Sequence, residues 1–248
     1  MPYRFAVDRP DYSDFASGRV FHSLPGHPAF PIRLASEIFQ RCLAHRRAAG
    51  GAGPVALYDP CCGAGYLLSV LACLHGESIR AIAASDADPK AADLAARNLE
   101  LLTMEGFERR IEALAADYSR YRKESHRQAL ESARRMRGRI AHLPAIQTRV
   151  FPADAGCAAD LLRGLAGLQP DVAIADLPYG LHSRWEGSLG NDPSPAQSLL
   201  GALAEALPGS GVVAVVSGKS LKAAHEKYRR LEQFPIGKRR ITILERIP

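Results

Sequence analysis

A short apolar run, a turn with two glycines and a longer apolar run constrain the fold of this chain most strongly. Residues 55–75 read VALYDPCCGAGYLLSVLACLH, with Asp59 ending the first run and Gly63 and Gly65 in the turn. This order predicts a strand, a glycine-rich loop and a helix over 64–75, the unit that cradles a nucleotide in open α/β sheets. The glycines let backbone N–H groups approach a ligand closely.

The spacing of these glycines excludes the dinucleotide fingerprint. The G-x-G-x-x-G pattern requires a third glycine at the position of Leu68. The segment from Asp59 to Gly65 instead follows D-x-x-x-G-x-G, which resembles motif I of the class I S-adenosylmethionine-dependent methyltransferases. The resemblance implies that Asp59, Gly63 and Gly65 contact S-adenosyl-L-methionine.

An acidic residue follows the second apolar run, residues 79–85. This is Asp86, about 20 positions beyond the glycine loop, where folds of this kind hydrogen-bond a ribose diol. Asp86 and its neighbour Ala87 are therefore candidates for cofactor binding. The alternative for Asp86 is a turn or N-cap role before the helix that starts at Pro89, but Asp88 is better placed to cap that helix.

A second pair of candidates for the nucleoside follows a predicted strand at 146–151. In the methyltransferase family this position often carries an acidic residue near the adenine amino group, and here it is Asp154. Ala155 follows and offers a backbone N–H. The alternative for Asp154 is an N-cap of the helix predicted from 157.

A third segment indicates the type of reaction. Residues 171–180 read DVAIADLPYG, which resembles motif IV, (D/N)-P-P-(Y/F), of the methyltransferases that modify amines and bases. Asp176 can accept hydrogen bonds from a planar base, Pro178 stiffens the loop by fixing φ, and Tyr179 offers a flat face for stacking. These three residues are the catalytic candidates, and Asp176 also lies beside the expected cofactor. Leu177 replaces the first proline of the motif, which puts methylation of an exocyclic amine in doubt.

Composition narrows the class of protein and its partners. The net charge of +6 and the pI of about 9.2 favour a polyanionic partner. Five cysteines without a C-x-x-C pair argue against a disulfide framework or a zinc site, and no metal is expected. The chain shows neither a secretory segment nor an apolar run of about 18 residues, so we expect a cytoplasmic protein without a membrane segment.

The pattern of apolar runs predicts one α/β domain over 1–248 with a Rossmann-like, mostly parallel, seven-stranded sheet. It comprises an arm and helix at 1–48 and a catalytic core at 55–248, which carries a basic helical insertion at about 104–142. The predicted strands cover 55–59, 79–85, 146–151, 171–175 and 212–217, followed by an antiparallel hairpin with a four-residue turn at 235–238. The predicted helices cover 31–48, 64–75, 89–102, 105–142, 157–166 and 195–206.

Basic residues concentrate in the insertion and at the C-terminal hairpin. Exposed Lys and Arg neutralise phosphates, so they are candidates for RNA binding. The candidates are Arg109, Arg110, Arg120, Arg122, Lys123, Arg134, Arg135, Arg239 and Arg240, with Trp185 as a possible stacking residue. The alternative for the insertion is a solvated helical face whose glutamates pair locally with the arginines.

The three motifs, the insertion and the N-terminal arm together resemble the avilamycin-resistance 23S rRNA guanine methyltransferases of actinomycetes. The resemblance implies methyl transfer from S-adenosyl-L-methionine to a guanine of 23S rRNA, at N1 as the first choice and N2 as the second. The substrate would be free rRNA or the large ribosomal subunit, and the result resistance to the orthosomycin avilamycin. Two alternatives stay open: a methyltransferase for another nucleic acid, a protein or a small molecule, and a non-catalytic RNA-binding module. The complete glycine loop argues against the second.

Overall fold

A computed structural model describes residues 3–16, 18–24, 29–177 and 187–247 of this chain. The strands are β1 (Val55–Asp59), β2 (Ile79–Asp86), β3 (Gln147–Pro152), β4 (Val172–Asp176), β5 (Val212–Gly218), β6 (Tyr228–Ile236) and β7 (Arg239–Arg246). The helices are α1 (Ile32–Ala48), α2 (Tyr66–His75), α3 (Pro89–Glu100), α4 (Met104–Tyr121), α5 (Glu124–Ala141), α6 (Ala158–Leu165) and α7 (Pro195–Ala206). Short 3-10 turns lie at Ser13–Phe15, Gly76–Ser78 and Gly187–Asn191.

The seven strands form one sheet in the order β3-β2-β1-β4-β5-β7-β6. Strands β1 to β5 pair in parallel, and β7 runs antiparallel between β5 and β6. This confirms the predicted Rossmann-like sheet with a C-terminal antiparallel hairpin. None of the described helices is long and apolar enough to cross a membrane.

Side chains of the central strands alternate between two apolar layers, because successive residues of a strand point to opposite faces. In β5, Val212 and Val216 pack with one layer and Val213 and Val215 with the other. The first layer contains buried side chains of α1 to α5, and the second contains those of α6 and α7. Both faces are therefore covered, as the continuous apolar run in β5 predicts.

Parallel pairing brings three acidic residues to one edge of the sheet. Strands β2, β1 and β4 are adjacent, and they end at Asp86, Asp59 and Asp176. Asp59 pairs with Ala84, two residues before Asp86, and Asp176 pairs with Val216 on β5. The carboxyl edge of the sheet therefore collects the acidic candidates that the sequence separates by up to 117 positions, the difference between 176 and 59.

The predicted four-residue turn of the C-terminal hairpin is wrong. Ile236 pairs directly with Arg239, which leaves Gly237 and Lys238 as a two-residue turn. Gly237 has φ +60, the positive value that a type II′ turn needs at its first central position. Pro235 lies within β6, an edge strand, where a residue without an N–H is tolerated.

A buried carboxylate anchors the N-terminal arm to α1. The side chain of Glu37 is fully buried and accepts hydrogen bonds from the backbone N–H groups of Arg4 (2.7 Å), Phe5 (2.8 Å) and Ala6 (2.7 Å). The Nε of Arg41 also donates to it at 2.6 Å. Burial raises the pKa of Glu37, but these donors outweigh burial and hold the pKa below its ordinary value.

We expect Glu37→Gln to lower the free energy of unfolding by about 2 kcal/mol at pH 7, because hydrogen bonds to a charged group contribute about 1.5–3 kcal/mol. The lowered pKa means that Glu37 stabilises the fold fully above its ordinary pKa and loses this effect as pH falls through the folded-state value. Urea unfolding at pH 7 and at pH 3 measures both effects. Glu105→Gln, at an exposed carboxylate, is the control and leaves stability unchanged. An equal change in the two variants would contradict the anchoring role.

Candidate active site

The glycine loop is tied to the end of β2 by backbone and side-chain hydrogen bonds. The N–H of Cys62 donates to the carbonyl of Ser85 at 2.9 Å, and the N–H of Gly63 donates to Oδ2 of Asp86 at 2.8 Å. The N–H of Gly65 then closes a turn on the carbonyl of Cys62 at 2.8 Å. The loop between β1 and α2 is thereby fixed against the neighbouring strand.

The two glycines of the loop serve different purposes. Both have positive φ, +52 at Gly63 and +69 at Gly65. A Cβ at Gly65 would lie 3.0 Å from Cβ of Ala95, so this glycine permits close packing of α2 on α3. A Cβ at Gly63 would meet nothing within 4 Å, so this glycine borders open space beside the loop. α2 starts at Tyr66, two residues after the predicted start, because Gly65 in the left-handed region precedes it.

The three carboxylates at the strand ends form an acidic centre. Asp59 is buried, and its Oδ1 accepts a hydrogen bond from the N–H of Cys61 at 3.0 Å. Burial raises the pKa of Asp59 well above its ordinary value, and the charges of Asp176 and Asp86 raise the pKa further. Such a centre favours a ligand with positive charge, which would stabilise the ionised carboxylates.

Asp86 keeps capacity for a further ligand. Its Oδ2 binds Gly63, and its Oδ1 accepts a hydrogen bond from the N–H of Asp88 at 3.0 Å. Each carboxylate oxygen has two acceptor sites, so Asp86 can still accept two hydrogen bonds from a diol. Asp88 caps α3 by accepting the N–H of Lys90 at 2.9 Å, which confirms its predicted capping role.

A cavity of about 340 Å³ lies beyond the ends of β2 and β3. Its described lining consists of Ala87, Pro152, Ala153, Asp154, Asp160 and Gly187. Ala155 is buried beside it in the second apolar layer. Two predicted cofactor residues, Ala87 and Asp154, therefore face one cavity at the same edge as the acidic centre.

Asp154 links the segment at Gly187 and Ser188 to the end of β3 by hydrogen bonding. Its Oδ2 accepts the N–H of Ser188 at 2.6 Å, and its Oδ1 accepts the N–H of Gly156 at 2.9 Å. Burial raises the pKa of Asp154, but these donors prevail and lower it. Asp154 is not the N-cap of α6, since Cys157 occupies that position.

The start of motif IV is fixed by backbone pairing. Leu177 is buried, and its N–H donates to the carbonyl of Val216 at 2.9 Å, extending the β4–β5 ladder by one bond. Proline, the family residue at this position, has no N–H and could not form this bond. Leu177 therefore has a structural role that the motif does not include. The predicted residues Pro178, Tyr179 and Trp185 lie outside the described residues.

Sequence reasoning missed a buried amide that joins the arm to the glycine loop. Oδ1 of Asn98 accepts the N–H of His22 at 2.7 Å, and its Nδ2 donates to the carbonyls of His22 (2.9 Å) and Ala64 (2.8 Å). The signal was present, because Asn98 follows Ala91 and Ala95 on the apolar face of α3. A polar residue on such a face indicates a buried hydrogen-bonding role.

Three of the seven basic candidates in the insertion pair with carboxylates or bind the arm. Arg109 pairs with Glu100 and Glu105, Arg135 pairs with Asp14, and Nε of Arg110 donates to the carbonyl of Val20 at 2.9 Å. Four others are exposed, and their side chains form neither an ion pair nor a hydrogen bond with any described residue. They are Arg120, Arg122, Lys123 and Arg134.

The two hairpin candidates are partly buried. The guanidinium of Arg239 lies 5.7 Å from the ring centre of Phe30, and that of Arg240 lies 3.5 Å from the carbonyl oxygen of Leu221. Both side chains therefore contact other segments of the fold.

Known proteins resemble this chain over nearly its whole length. Residues 1–239 match the sequence model of the family described as rRNA methyltransferase AviRa. The 23S rRNA (guanine(2535)-N(1))-methyltransferase of Streptomyces viridochromogenes is 46% identical over 238 residues, which cover 96% of this chain and 93% of that relative. Two solved structures of rRNA methyltransferase AviRa from the same organism, at 2.4 and 1.5 Å, share a TM-score of 0.86 and 44% identity. They match over 99% of this chain and 96% of theirs.

We expect Gly63→Ala and Gly65→Ala to separate binding from folding. At Gly63 the methyl group would enter the open space beside the loop, so affinity for S-adenosyl-L-methionine falls at least tenfold while stability falls by about 1–2 kcal/mol. At Gly65 crowding against Ala95 adds about 1–3 kcal/mol to that loss of stability. Calorimetric titration and urea unfolding measure the two effects. Tight cofactor binding by Gly63→Ala would contradict the expected role of the glycine loop in binding the cofactor.

We expect Asp59→Asn to raise the melting temperature of the unliganded protein at pH 8, by about 2–4 °C per kcal/mol of repulsion removed. A raised pKa means that Asp59 favours the fold at low pH and loses this effect as pH rises through the raised value. The difference in melting temperature between the variant and the wild type is therefore smaller at pH 5. Scanning calorimetry at both pH values measures it, and a variant less stable than wild type at pH 8 would contradict the acidic centre.

Proposed function

The chain belongs to the AviRa family of rRNA methyltransferases, and from this premise we propose that it methylates N1 of a guanine in 23S rRNA with S-adenosyl-L-methionine as methyl donor. One observation carries the proposal: a guanine-N1 methyltransferase of 23S rRNA is 46% identical over 96% of this chain. We further propose that the enzyme acts in the cytoplasm, on free rRNA or the large subunit, and protects it from avilamycin.

The residues at the carboxyl edge fit S-adenosyl-L-methionine. Gly63 leaves open space for it beside the loop, and Asp86 has acceptor sites for a ribose diol. The acidic centre suits the positive sulfonium and ammonium groups, and the cavity at Ala87 and Asp154 suits the adenine. When bound, the cofactor would supply an electrophilic methyl group.

The residues at the end of β4 would handle the base. A guanine turned out of its stack reaches such a pocket at the cost of unstacking. We propose that Asp176 and the adjacent backbone carbonyls accept its N–H groups, and that Pro178 and Tyr179 support and stack it. Because N1 carries a proton, methylation at N1 requires a base, and the carboxylate of Asp176 accepts that proton. Leu177 fixes this carboxylate by holding the strand end against β5.

Positioning of the base and the methyl donor would supply much of the rate enhancement that the proton acceptor does not supply. Transfer requires the nitrogen, the methyl carbon and the sulfur in line at near-attack distance, and held geometry of this kind replaces a bimolecular encounter. The bond between Gly63 and Asp86 fixes the cofactor side, and the bond between Leu177 and Val216 fixes the base side. Both bonds are made at the carboxyl ends of parallel strands.

Labelled S-adenosyl-L-methionine tests the proposed function directly. The protein is incubated with unmodified 23S rRNA or with large subunits, and the label is mapped by nuclease digestion and mass spectrometry. We expect one guanine labelled at N1. Label at N2 would show that N2 is the methylated atom, and label on subunits alone would show that the assembled subunit is the substrate. No label on either substrate, with cofactor still bound, would refute the proposal.

We expect Asp176→Ala to lower the rate of methyl transfer at least 100-fold, in keeping with removal of a positioned proton acceptor. Cofactor affinity changes less than tenfold, because Asp86 and the glycine loop remain. Single-turnover transfer and calorimetric titration measure the two quantities. Asp93→Ala, at an exposed position on α3, is the control and keeps the wild-type rate. A near-normal rate in Asp176→Ala would exclude this role.

A further inference from the structure

Positive charge in the hairpin of α4 and α5 is partly compensated along its length, whereas the cations at its end form no ion pair with any described residue. Four arginines of the hairpin pair with carboxylates. They are Arg109 with Glu100 and Glu105, Arg127 with Glu124 and Glu131, Arg135 with Asp14, and Arg137 with Glu108. These pairs support the alternative of a solvated face for the body of the hairpin.

The end of the hairpin, residues 118–126, is here named the insertion tip. It carries Arg120, Arg122 and Lys123, which are exposed and whose side chains form no ion pair or hydrogen bond to any residue within the described ranges. The glutamate beside them, Glu124, is bound by Arg127 and by the amide of Gln128 at 3.0 Å. The tip therefore presents three cations whose charge the neighbouring acid does not neutralise.

An exposed aromatic ring lies among these cations. Tyr121 is 51% exposed, the guanidinium of Arg120 lies 5.8 Å from its ring centre, and the ring of His126 meets it edge-on at 5.5 Å. Arg122 lies 5.6 Å from the ring centre of Tyr118. An exposed aromatic face flanked by guanidinium groups is the arrangement on which unstacked RNA bases stack, while the cations bind phosphates.

The backbone of the insertion tip adopts an unfavourable conformation where α4 ends. Arg122 ends α4 with φ +52, a left-handed conformation that a side chain makes unfavourable, and its N–H donates to the carbonyl of Tyr118 at 2.9 Å. Glycine is the usual residue at such a position. Residues in this conformation cluster at functional sites, where the strain presents a side chain.

The tip is separate from the cofactor and base site. On α4, Arg110 is bound to Val20 of the arm, and two residues later His22 binds Asn98, whose amide also donates to the glycine loop at Ala64. A rise of about 1.5 Å per residue places Arg122 about 18 Å further along the helix than Arg110. A segment of the substrate bound at the tip would therefore differ from the segment that carries the target base.

We propose that the insertion tip is a second RNA contact, in which Arg120, Arg122 and Lys123 bind phosphates of the rRNA and Tyr121 stacks on an unpaired base. The inference rests on the proposed function for the identity of the RNA. It divides the basic candidates of the insertion into three that bind RNA and three, Arg109, Arg110 and Arg135, that contact the rest of the fold.

Two charge-matched double variants test the tip. Arg120→Gln with Lys123→Gln removes two unpaired cations, and Arg109→Gln with Arg137→Gln removes two paired ones. Binding of a 23S rRNA transcript is measured against salt concentration. We expect the tip variant to reduce the slope of log affinity against log salt by about 1 per residue removed, and the control to leave the slope unchanged. Tyr121→Ala weakens binding about tenfold with the slope unchanged, because stacking carries no net charge.

Cofactor affinity and melting temperature are measured on every variant, and the tip variant retains both. Equal slopes for the tip variant and its control would overturn the proposal. So would a loss of activity confined to assembled subunits, which would assign the tip to a ribosomal protein. Wild-type protein that binds the transcript but transfers no methyl group to transcript or large subunits would refute the proposed function, while the binding comparison still decides the role of the tip.

Discussion

Parallel pairing of β2, β1 and β4 is the constraint on which the site depends. It places Asp86, Asp59 and Asp176 at one edge, and the burial of Asp59 makes their mutual repulsion expensive. Such an arrangement is typical of ligand-binding sites, and a cationic ligand removes the repulsion. The unliganded fold is therefore less stable at this edge than it would be with neutral residues, and the binding free energy of a cationic ligand would offset that loss.

Buried polar groups connect the arm, the glycine loop and the sheet into one support. Glu37 binds three consecutive backbone N–H groups of the arm, and Asn98 binds the arm at His22 and the loop at Ala64. Such fully satisfied groups specify one arrangement, because breaking any bond leaves a buried donor or acceptor unpaired. The arm is thus part of the site's support, and its position follows from two side chains. The same logic applies to Asp154 and Leu177, which fix the chain at Ser188 and Val216 beside the base site.

Much of the fold could be predicted from the sequence because its signals are local. Strand and helix periodicity indicated the seven-stranded sheet, and the spacing of Gly63 and Gly65 excluded the dinucleotide fingerprint. The prediction for the hairpin turn was wrong because proline is typical of turns. Pro235 instead lies on an edge strand, where a residue without an N–H is tolerated. The capping role of Asp88 was predictable, since an N-cap depends only on residues two positions away.

The sequence by itself determined the type of fold, the order of the motifs and the residue types that we expect to meet a nucleoside. Only the tertiary structure decided which charges are compensated and which polar groups are buried. Arg135 pairs with Asp14 across 121 positions, and Asn98 reaches His22 across 76. Arg120 and Arg135 look alike in the sequence, yet one is exposed without an ion-pair partner in the described chain and the other is held by the arm. Ion pairing and desolvation depend on distance in space, and that distance is fixed by packing between segments that the local pattern does not connect.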